Sequence, residues 1–376
     1  MKLAYLADSI IPSHAANSIH VMKMCQAFAA HGNDVTLVVP DRSDREEDIE
    51  DIFTYYGVDP SFEVVKLARP NLSSLGTFLY QYRAGRYAKY IGADIAYGRS
   101  MFACYFASLA GIPTAFESHG PFTDRRLERS RQFFLGRLTT HECFLGFVVI
   151  SDWLARYYRA KFPHINGHIL KAHDGADPVK ESVEPHDIGD PETLDVGYVG
   201  NLYPGRGIDL IIELARECPW AEFHVIGGTE DDVDYWRTQS DDVNNISFYG
   251  FIPPSELDAY RLAFDVLLAP YQKDLETAGG MNTSEWMSPL KLFEYMAAGK
   301  PIVCSEFPVL REVVRDGETA LFCDPEILDQ WVGALEELDN NASLRKELSL
   351  NAHEEFMENY TWERRAERII EYLDHS

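Results

Sequence analysis

Residues 287–304 read MSPLKLFEYMAAGKPIVC, and this stretch predicts a helix followed directly by a buried strand. Ser288 is a good N-cap, Pro289 suits the first helical position, and Gly299 is typical of a residue just past a helix end. The apolar residues Pro301–Cys304 then have the length and composition of a short buried strand. A helix that leads into such a strand is part of a parallel βαβ unit.

The same alternation extends along the whole chain. In the first half, short apolar runs predict strands at Leu3–Leu6, Val35–Val39, Glu63–Leu67, Asp94–Tyr97, Thr114–Glu117, Phe147–Ile150 and Ile169–Ala172. In the second half, they predict strands at Asp195–Val199, Phe223–Ile226, Ile246–Phe248, Val266–Ala269 and Ala320–Phe322. Strands that alternate with helices predict an α/β fold with two doubly wound parallel sheets. Such sheets bind ligands at the carboxyl ends of their strands, so a cleft between the two halves is the expected active site.

A segment without apolar periodicity separates the two halves. Residues 178–191, PVKESVEPHDIGDP, are rich in proline and acidic residues, as interdomain linkers are. The predicted boundaries are 1–178 for the first domain, 179–193 for the linker, 194–356 for the second domain and 357–376 for a C-terminal helix.

Composition limits the possible functions. The chain has 376 residues, with 34 Lys and Arg against 60 Asp and Glu, so its net charge of −26 disfavours general nucleic-acid binding. The longest apolar run tested, Phe144–Ile150, is far shorter than the ~20 residues that cross a bilayer. The N-terminus lacks the apolar core of a signal peptide. We therefore expect a cytoplasmic protein whose six cysteines are mostly buried thiols.

The helix start at Lys291 has the features of an anion site. The free N–H groups of a first helical turn carry partial positive charge. The helix dipole by itself disfavours a lysine in the first turn. The lysine is therefore better explained if an anion lies between its ammonium group and the helix end. Glu294, one turn later, could accept hydrogen bonds from sugar hydroxyls. The alternative is an ordinary Lys291–Glu294 surface pair at i,i+3 spacing.

Three other segments are candidates for ligand contact. In Gly197–Ala215, a strand ends at Gly200 and a glycine-containing loop places Arg206 just before the next helix. Together with Lys291, Arg206 suggests a clamp for a diphosphate. Small residues at Ser13–Asn17 would let backbone approach a ligand, or form an ordinary polar loop. His119 follows a strand end and is either a site residue or a structural histidine.

Residues 288–314, SPLKLFEYMAAGKPIVCSEFPVLREVV, resemble the signature of retaining GT-B glycosyltransferases of family GT4, in the glycogen-synthase-like superfamily. Other motifs follow in the family's order: HGNDVTLVVP, FESHG, GYVGNLYPGRGIDLII, FHVIGG, ISFYGFIPPSELDAYRLAFDVLLAPY and YTWERRAERII. The resemblance implies two facing Rossmann-like domains, with the acceptor in the first and the nucleotide-sugar in the second. It also implies that the last helix crosses back to the first domain.

The resemblance also implies roles for particular residues. Arg206 and Lys291 would bind the diphosphate, Glu294 the nucleotide ribose, and His119 would lie beside the transferred sugar. The nucleobase is expected near Gly250, Phe251 and Ile252. The remaining donor-binding candidates are Ala16, Asn17, Gly200, Asn201, Ser288, Pro289 and Leu290. A UDP- or GDP-sugar would be the donor substrate, with no metal and no other cofactor.

The sequence departs from the family pattern at three places. The first glutamate of the family's E-x7-E motif falls on Trp286, so Glu285 is the catalytic candidate there. The usual Gly-Gly of the first loop is Ala15-Ala16, and the common arginine after the strand glycine is Asn201. These changes bear on the identity of the donor.

Asp232 and Asp234 have the spacing of a metal-binding DxD motif. Because the chain is so acidic, we interpret them instead as part of a solvated helix start.

Two basic segments stand out from the acidic background. Residues Asp124–Arg137 contain five arginines and two acids, with Phe133, Phe134 and Leu135 beside them. Residues Tyr80–Tyr90 add Arg83, Arg86 and Lys89 among tyrosines. Basic helices that carry aromatic residues can rest on anionic lipid. This favours a lipid-linked acceptor or a contact with the inner face of the membrane; the alternative is a solvated helix face.

The function expected from this resemblance is retaining sugar transfer to a glycan, lipid-linked or small-molecule acceptor, in surface polysaccharide or glycolipid biosynthesis. One alternative is a nucleotide-sugar epimerase or hydrolase on a related scaffold. Another is a catalytically weak partner subunit, which Trp286 and Asn201 would suit. A dinucleotide oxidoreductase is disfavoured because no GxGxxG follows the first strand.

Overall fold

A computed structural model describes residues 1–42, 46–47, 49–122, 128–189, 193–275 and 282–375. The chain divides into two compact units. Unit 1 consists of Met1–Asp174 together with Trp362–Ser376, and unit 2 consists of Gly175–Thr361. The predicted linker residues 190–192 lie outside the described residues. In the part of the chain that is described, no helix is long and apolar enough to cross a membrane.

Unit 1 is built on a seven-stranded sheet in which every paired neighbour is parallel. Its strands are β1 (Lys2–Leu6), β2 (Asp34–Asp41), β3 (Glu63–Ala68), β4 (Ile95–Gly98), β5 (Thr114–Ser118), β6 (Phe144–Val149) and β7 (Ile169–Lys171). Their order across the sheet is β3-β2-β1-β4-β5-β6-β7. Strand β1 is wholly apolar after Lys2 and almost fully buried, as expected for a central parallel strand.

Helices cover this sheet and connect its strands. They are α1 (Ala16–Ala30), α2 (Ile52–Tyr56), α3 (Ser73–Tyr90), α4 (Met101–Leu109), α5 (Glu128–Thr139) and α6 (Asp152–Lys161). Helix α13 (Trp362–Asp374), the last of the chain, packs against α1. Helix α13 presents an apolar stripe in which Trp362, Ala366, Ile369 and Leu373 are buried, together with one arginine, Arg365.

Unit 2 contains a six-stranded parallel sheet. Its strands are β8 (Leu194–Val199), β9 (Ala221–Ile226), β10 (Ile246–Gly250), β11 (Val266–Ala269), β12 (Ile302–Ser305) and β13 (Leu321–Cys323), in the order β10-β9-β8-β11-β12-β13. Its helices are α7 (Ile208–Glu217), α8 (Glu230–Gln239), α9 (Leu257–Ala263), α10 (Leu290–Ala297), α11 (Leu328–Asn340) and α12 (Ala342–Asn359). Residues 175–189 belong to this unit, and Val179 and Ile188 pack on its core.

The predicted fold class, α/β with two parallel sheets, is confirmed. Asp232 is confirmed as part of a helix start, because its carboxylate accepts hydrogen bonds from the N–H and hydroxyl of Thr229 in a capping box. The cysteines are free thiols, buried except for the half-buried Cys143. The predicted N-cap at Ser288 is wrong. Pro289 keeps an extended ψ of 119° and is itself the cap, so α10 begins at Leu290.

Candidate active site

Three glycines meet where neighbouring strands of unit 2 end. Gly200 follows β8, Gly227 follows β9 and Gly250 ends β10. The Gly200 N–H donates to Ile226 O at 2.9 Å, and the Gly227 N–H donates to Gly250 O at 2.8 Å. A side chain at Gly227 would meet Gly200 O at 2.0 Å, so only glycine allows this approach. The carboxyl edge of the sheet is therefore open backbone, where a ligand can come close.

The Lys291 side chain is buried at this edge, and its Nζ has no hydrogen-bond partner among the described residues. Its Nζ lies 3.7 Å from the centre of the Tyr198 ring and 5.2 Å from that of Tyr271. Both rings offer cation–π attraction but no counter-charge. The alternative of a Lys291–Glu294 surface pair is wrong, because Lys291 is buried and the Glu294 carboxylate pairs with Arg261.

Arg206 lies near the ring of the same tyrosine, Tyr271. Its guanidinium carbon is 5.7 Å from the centre of the Tyr271 ring. The buried Arg206 Nε and the buried Tyr271 hydroxyl both lack a hydrogen-bond partner among the described residues. Two basic side chains thus lie close to one tyrosine ring, and each of the three residues has a buried polar atom without a hydrogen-bond partner among the described residues. Buried polar groups are normally paired, so this arrangement points to an anionic ligand.

The charges of this cluster shift its pKa values. Burial, and then repulsion by Arg206, lower the pKa of Lys291 well below its usual range, while Glu294 opposes the shift. Burial raises the pKa of Tyr271 well above its usual value, so its hydroxyl stays protonated as a donor. An anion bound here would remove the repulsion between the cations and restore the charge of Lys291.

Replacing Gly200 with alanine is expected to disable this site. The added methyl carbon would lie 2.6 Å from the Lys291 Nζ and 2.9 Å from its Cε, so the ammonium must move. A displacement near 1 Å can lower a rate by about 10²-fold. Steady-state kinetics and nucleotide binding will check this, with Gly333→Ala as the control because its Cβ meets open space. Unchanged nucleotide affinity in Gly200→Ala would contradict the placement of Lys291 beside the ligand.

Glu294 is held by an arginine that sequence reasoning did not identify. Arg261 of α9 is buried, and its Nη2 donates to Glu294 Oε2 at 2.7 Å while its Nη1 donates to Asp258 Oδ1 at 2.8 Å. Glu294 stays partly exposed, with a side-chain accessibility of 28%. This geometry orients one oxygen toward Arg261 and leaves the carboxylate accessible to hydroxyl groups.

The other residues of unit 2 that were predicted to bind the donor substrate follow the strand ends or lie near the start of α10. Asn201 is exposed, and its carbonyl accepts from the Tyr198 hydroxyl at 2.7 Å. Ser288 is buried, and Pro289 and Leu290 are half-buried at the start of α10. Beyond Gly250, Phe251 is exposed and Ile252 packs on the core. Glu285 is exposed in a turn, whereas Trp286 is buried.

In unit 1, His119 belongs to a buried cluster of charged groups. Its Nε2 bonds to Glu117 Oε1, and its ring packs edge-on against His20, with the ring centres 4.6 Å apart. The His20 Nε2 lies 3.2 Å from both Glu117 Oε1 and Asp174 Oδ1. Burial and the charge of Arg99 lower the pKa of His119 to about 4, so its imidazole is neutral near pH 7.

Arg365 supplies positive charge to this cluster from helix α13. Its Nη2 donates to Glu117 Oε1 at 2.8 Å and lies 3.9 Å from Asp174 Oδ1. Burial alone would raise the pKa of Glu117, but Arg365, His20 and His119 hold it well below its usual range. The four side chains at positions 20, 117, 119 and 174 could offer metal ligands. Of these four, the carboxylates of Glu117 and Asp174 already pair with the guanidinium of Arg365.

The predicted contacts at the first loop lie at the start of α1. Ala16 and Asn17 are exposed, and Ala15 is the N-cap without a side-chain hydrogen bond. The Ser18 hydroxyl instead bonds to the carbonyls of Ser13 and Ala15, at 2.8 and 2.7 Å. The loop is thus braced from within, and its small residues remain accessible.

Sequence reasoning missed Tyr271, Arg261 and Arg365. For Arg365 a signal existed: a cation within the apolar stripe of a C-terminal helix calls for a buried anionic partner. No sequence signal pointed to Tyr271, because an aromatic residue just after a strand is typical of the core.

Two family models match most of the chain. "Glycosyl transferases group 1" matches residues 186–355, and "Glycosyltransferase Family 4" matches residues 18–178. The two matches correspond to large parts of unit 2 and unit 1.

Curated relatives share shorter stretches. The putative teichuronic acid biosynthesis glycosyltransferase TuaH of Bacillus subtilis is 29% identical over 119 residues, which are 31% of this chain and 28% of that protein. The D-inositol 3-phosphate glycosyltransferase of Mycobacterium marinum is 25% identical over 186 residues, 48% of this chain and 38% of that protein. The chain thus matches less than half the length of these relatives.

Solved structures share the fold over the full length. Sucrose-phosphate synthase from Thermosynechococcus elongatus superposes with a TM-score of 0.76 at 16% identity, covering 100% of this chain and 98% of that one. HepE from Anabaena, solved with UDP-glucose, gives a TM-score of 0.70 at 14% identity and covers 100% of both chains. Identities this low establish similarity of fold only.

Proposed function

Since this chain belongs to the group 1 glycosyltransferases of family GT4, we propose that it transfers a sugar from a nucleoside-diphosphate donor, UDP- or GDP-linked, to a hydroxyl of its acceptor. The glycosidic bond to the diphosphate breaks, the acceptor oxygen bonds to the same sugar carbon, and the acceptor's proton leaves with the nucleoside diphosphate. We assign the reaction retention of configuration.

The unused donors of Lys291, Arg206 and Tyr271 carry this proposal. The charge that develops when the sugar bond breaks lies on the leaving diphosphate, and two fixed cations stabilise it without reorganisation. Because these cations can neutralise the leaving group, the proposal needs no metal. Glu294, oriented by Arg261, would accept hydrogen bonds from the nucleotide ribose.

The other assignments rest on the resemblance to the family. His119, neutral and partly accessible, would contact the transferred sugar, and Glu285 would take the place of the missing motif glutamate. Gly250, Phe251 and Ile252 would contact the nucleobase. The acceptor would be a glycan, a lipid-linked sugar or a small molecule in surface polysaccharide or glycolipid synthesis. Relatives named for teichuronic acid biosynthesis and for D-inositol 3-phosphate support this range.

A donor panel tests the proposal. Purified protein is incubated with UDP-, GDP- and ADP-sugars, and release of nucleoside diphosphate is measured. We expect release from one donor, and a loss of about 10²-fold or more in Arg206→Gln, the range seen when one charge-stabilising donor is removed. Arg216→Gln is the control, because Arg216 is an α7 arginine paired with Glu213 and Asp242 at the surface.

The same panel separates the alternatives. Neither nucleotide binding nor release, in the presence of crude glycan and lipid acceptors, would favour a partner subunit over an enzyme. Release without any acceptor dependence would favour a hydrolase. Equal activity of Arg206→Gln and Arg216→Gln would overturn the diphosphate clamp.

A further inference from the structure

Helices α3, α4 and α5 of unit 1 form a face with unusually many exposed apolar side chains. Helix α3 packs on α4, and α4 packs on α5. On α3, residues 75, 78 and 82 recur at helical spacing on one side. The large exposed residues of this face are Leu72, Leu75, Phe78, Tyr82, Leu109 and Phe133, of which Phe133 has 63% of its surface accessible.

Ring contacts join these helices into one continuous aromatic surface. Phe78 of α3 lies 5.4 Å from Phe106 and 6.1 Å from Phe102 of α4, between ring centres. Phe102 in turn lies 5.1 Å from Phe134 of α5, which contacts Phe133. A contiguous exposed apolar patch of this kind marks an interaction site in a water-soluble fold.

The same helices carry positive charge in a strongly acidic protein. Together α3, α4 and α5 contain six basic residues and one acidic residue, Glu128. The full chain has a net charge of −26. Arg83, Arg86 and Arg129 are exposed on these helices. A partner must therefore be both apolar and anionic.

We propose that the α3–α4–α5 face docks on the surface of an anionic lipid bilayer. Aromatic and leucine side chains would enter the boundary between headgroups and acyl chains, and the arginines would pair with lipid phosphates. A second copy of this chain is a poorer occupant, because two such faces would bring like charges together. The predicted basic segment Asp124–Arg137 contributes its described part, from α5 onward; residues 123–127 lie outside the described residues.

Vesicle flotation tests this docking without any donor or acceptor, so its outcome is independent of the proposed sugar transfer. The probes are vesicles of phosphatidylcholine alone and vesicles with phosphatidylglycerol added. We expect binding to the anionic vesicles only, weakened at high salt by charge screening. The triple variant Leu75→Ser, Phe78→Ser, Phe133→Ser should bind roughly tenfold or more weakly, because it removes the inserted apolar groups.

A charge-reversal series separates lipid docking from general repulsion. Arg83→Glu, Arg86→Glu and Arg129→Glu together should also lower binding roughly tenfold or more. The matched control reverses three exposed cations elsewhere, Arg159, Lys180 and Lys346, and changes the net charge equally. Circular dichroism confirms folding of each variant. Equal binding by both charge variants overturns the proposal. Light scattering in vesicle-free buffer gives a second test. If the wild type is a dimer there and the triple serine variant is a monomer, the proposal is also overturned.

Discussion

Lys291→Met is expected to lower kcat/KM for sugar transfer by about 10²–10³-fold, as removal of one charge-stabilising donor does in other transfer reactions. The same substitution is expected to stabilise the unliganded protein by about 1–3 kcal/mol, since it removes a buried amine without a hydrogen-bond partner. Stability and activity should thus move in opposite directions. Urea unfolding and steady-state kinetics on one preparation measure both.

The stability gain should depend on pH. The pKa of Lys291 lies below its usual value in the folded state, so the unfolded chain binds this proton more tightly. Wild-type stability therefore rises with pH until the ordinary lysine pKa near ~10.4 is passed. The advantage of Lys291→Met is greatest near neutral pH and shrinks toward pH ~10.

Lys300→Met provides the control, because Lys300 is a half-buried lysine just after α10 whose pKa is also lowered by burial. We expect it to keep full activity. If Lys291→Met destabilised the unliganded protein, Lys291 would be a structural residue. Adding nucleoside diphosphate should raise the Tm of the wild type and leave that of Lys291→Met nearly unchanged.

Arg365→Met is expected to lower the free energy of unfolding by about 3–5 kcal/mol, the usual effect of breaking a buried ion pair from one side. The guanidinium pairs with Glu117 and also donates to the His173 carbonyl at 2.8 Å. Without it, the Glu117 carboxylate and the carbonyls of Ala172 and His173 lose a donor, and Asp174 loses a nearby cation, all in a buried setting. Urea unfolding at pH 7 measures the loss.

The pH dependence identifies the carboxylates as the partners. The pKa of Asp174 is about 2 and that of Glu117 is well below its usual range, so both stabilise the fold above their unfolded values near ~4. Wild-type stability falls as pH drops from ~4 through these lowered values. The difference between wild type and Arg365→Met is therefore full at pH 7 and shrinks in acid.

Arg364→Met serves as the matched control, because Arg364 is an exposed neighbour paired with Glu367 at the surface and should change stability by less than ~1 kcal/mol. The double variant Arg365→Met, Glu117→Gln should recover part of the lost stability. A loss that stays constant down to pH ~2 would show that Arg365 acts through packing alone.

Sequence patterns predicted the elements whose structure is determined by residues close together in the chain. The α10–β12 unit was recognised because capping, apolar spacing and a terminal glycine all lie within 18 residues of sequence. The convergence of Arg206 and Lys291 followed from strand–helix connections at one edge of a parallel sheet. The cap itself was misplaced by one residue, because the sequence does not reveal that Pro289 keeps an extended conformation.

Contacts between distant segments could not be predicted in this way. Arg365 and Glu117 are 248 residues apart, and no local pattern relates them. The pairing of Arg261 with Glu294 depends on how α9 packs beside α10, which propensity does not determine. The basic, aromatic-bearing segments of α3 and α5 are visible in the sequence, but the continuous face that they form with α4 became recognisable only when the three helices were placed side by side.

Helix α13 also bears on the order in which the protein is made. A ribosome that has completed Asp174 has synthesised the whole sheet of unit 1, but the guanidinium that pairs with Glu117 is nearly two hundred residues from being translated. The first unit is therefore completed only after all of unit 2 has been synthesised. Until α13 has been synthesised, Glu117 and Asp174 lack the Arg365 cation, and the surface of α1 that α13 covers stays open to water or to a chaperone.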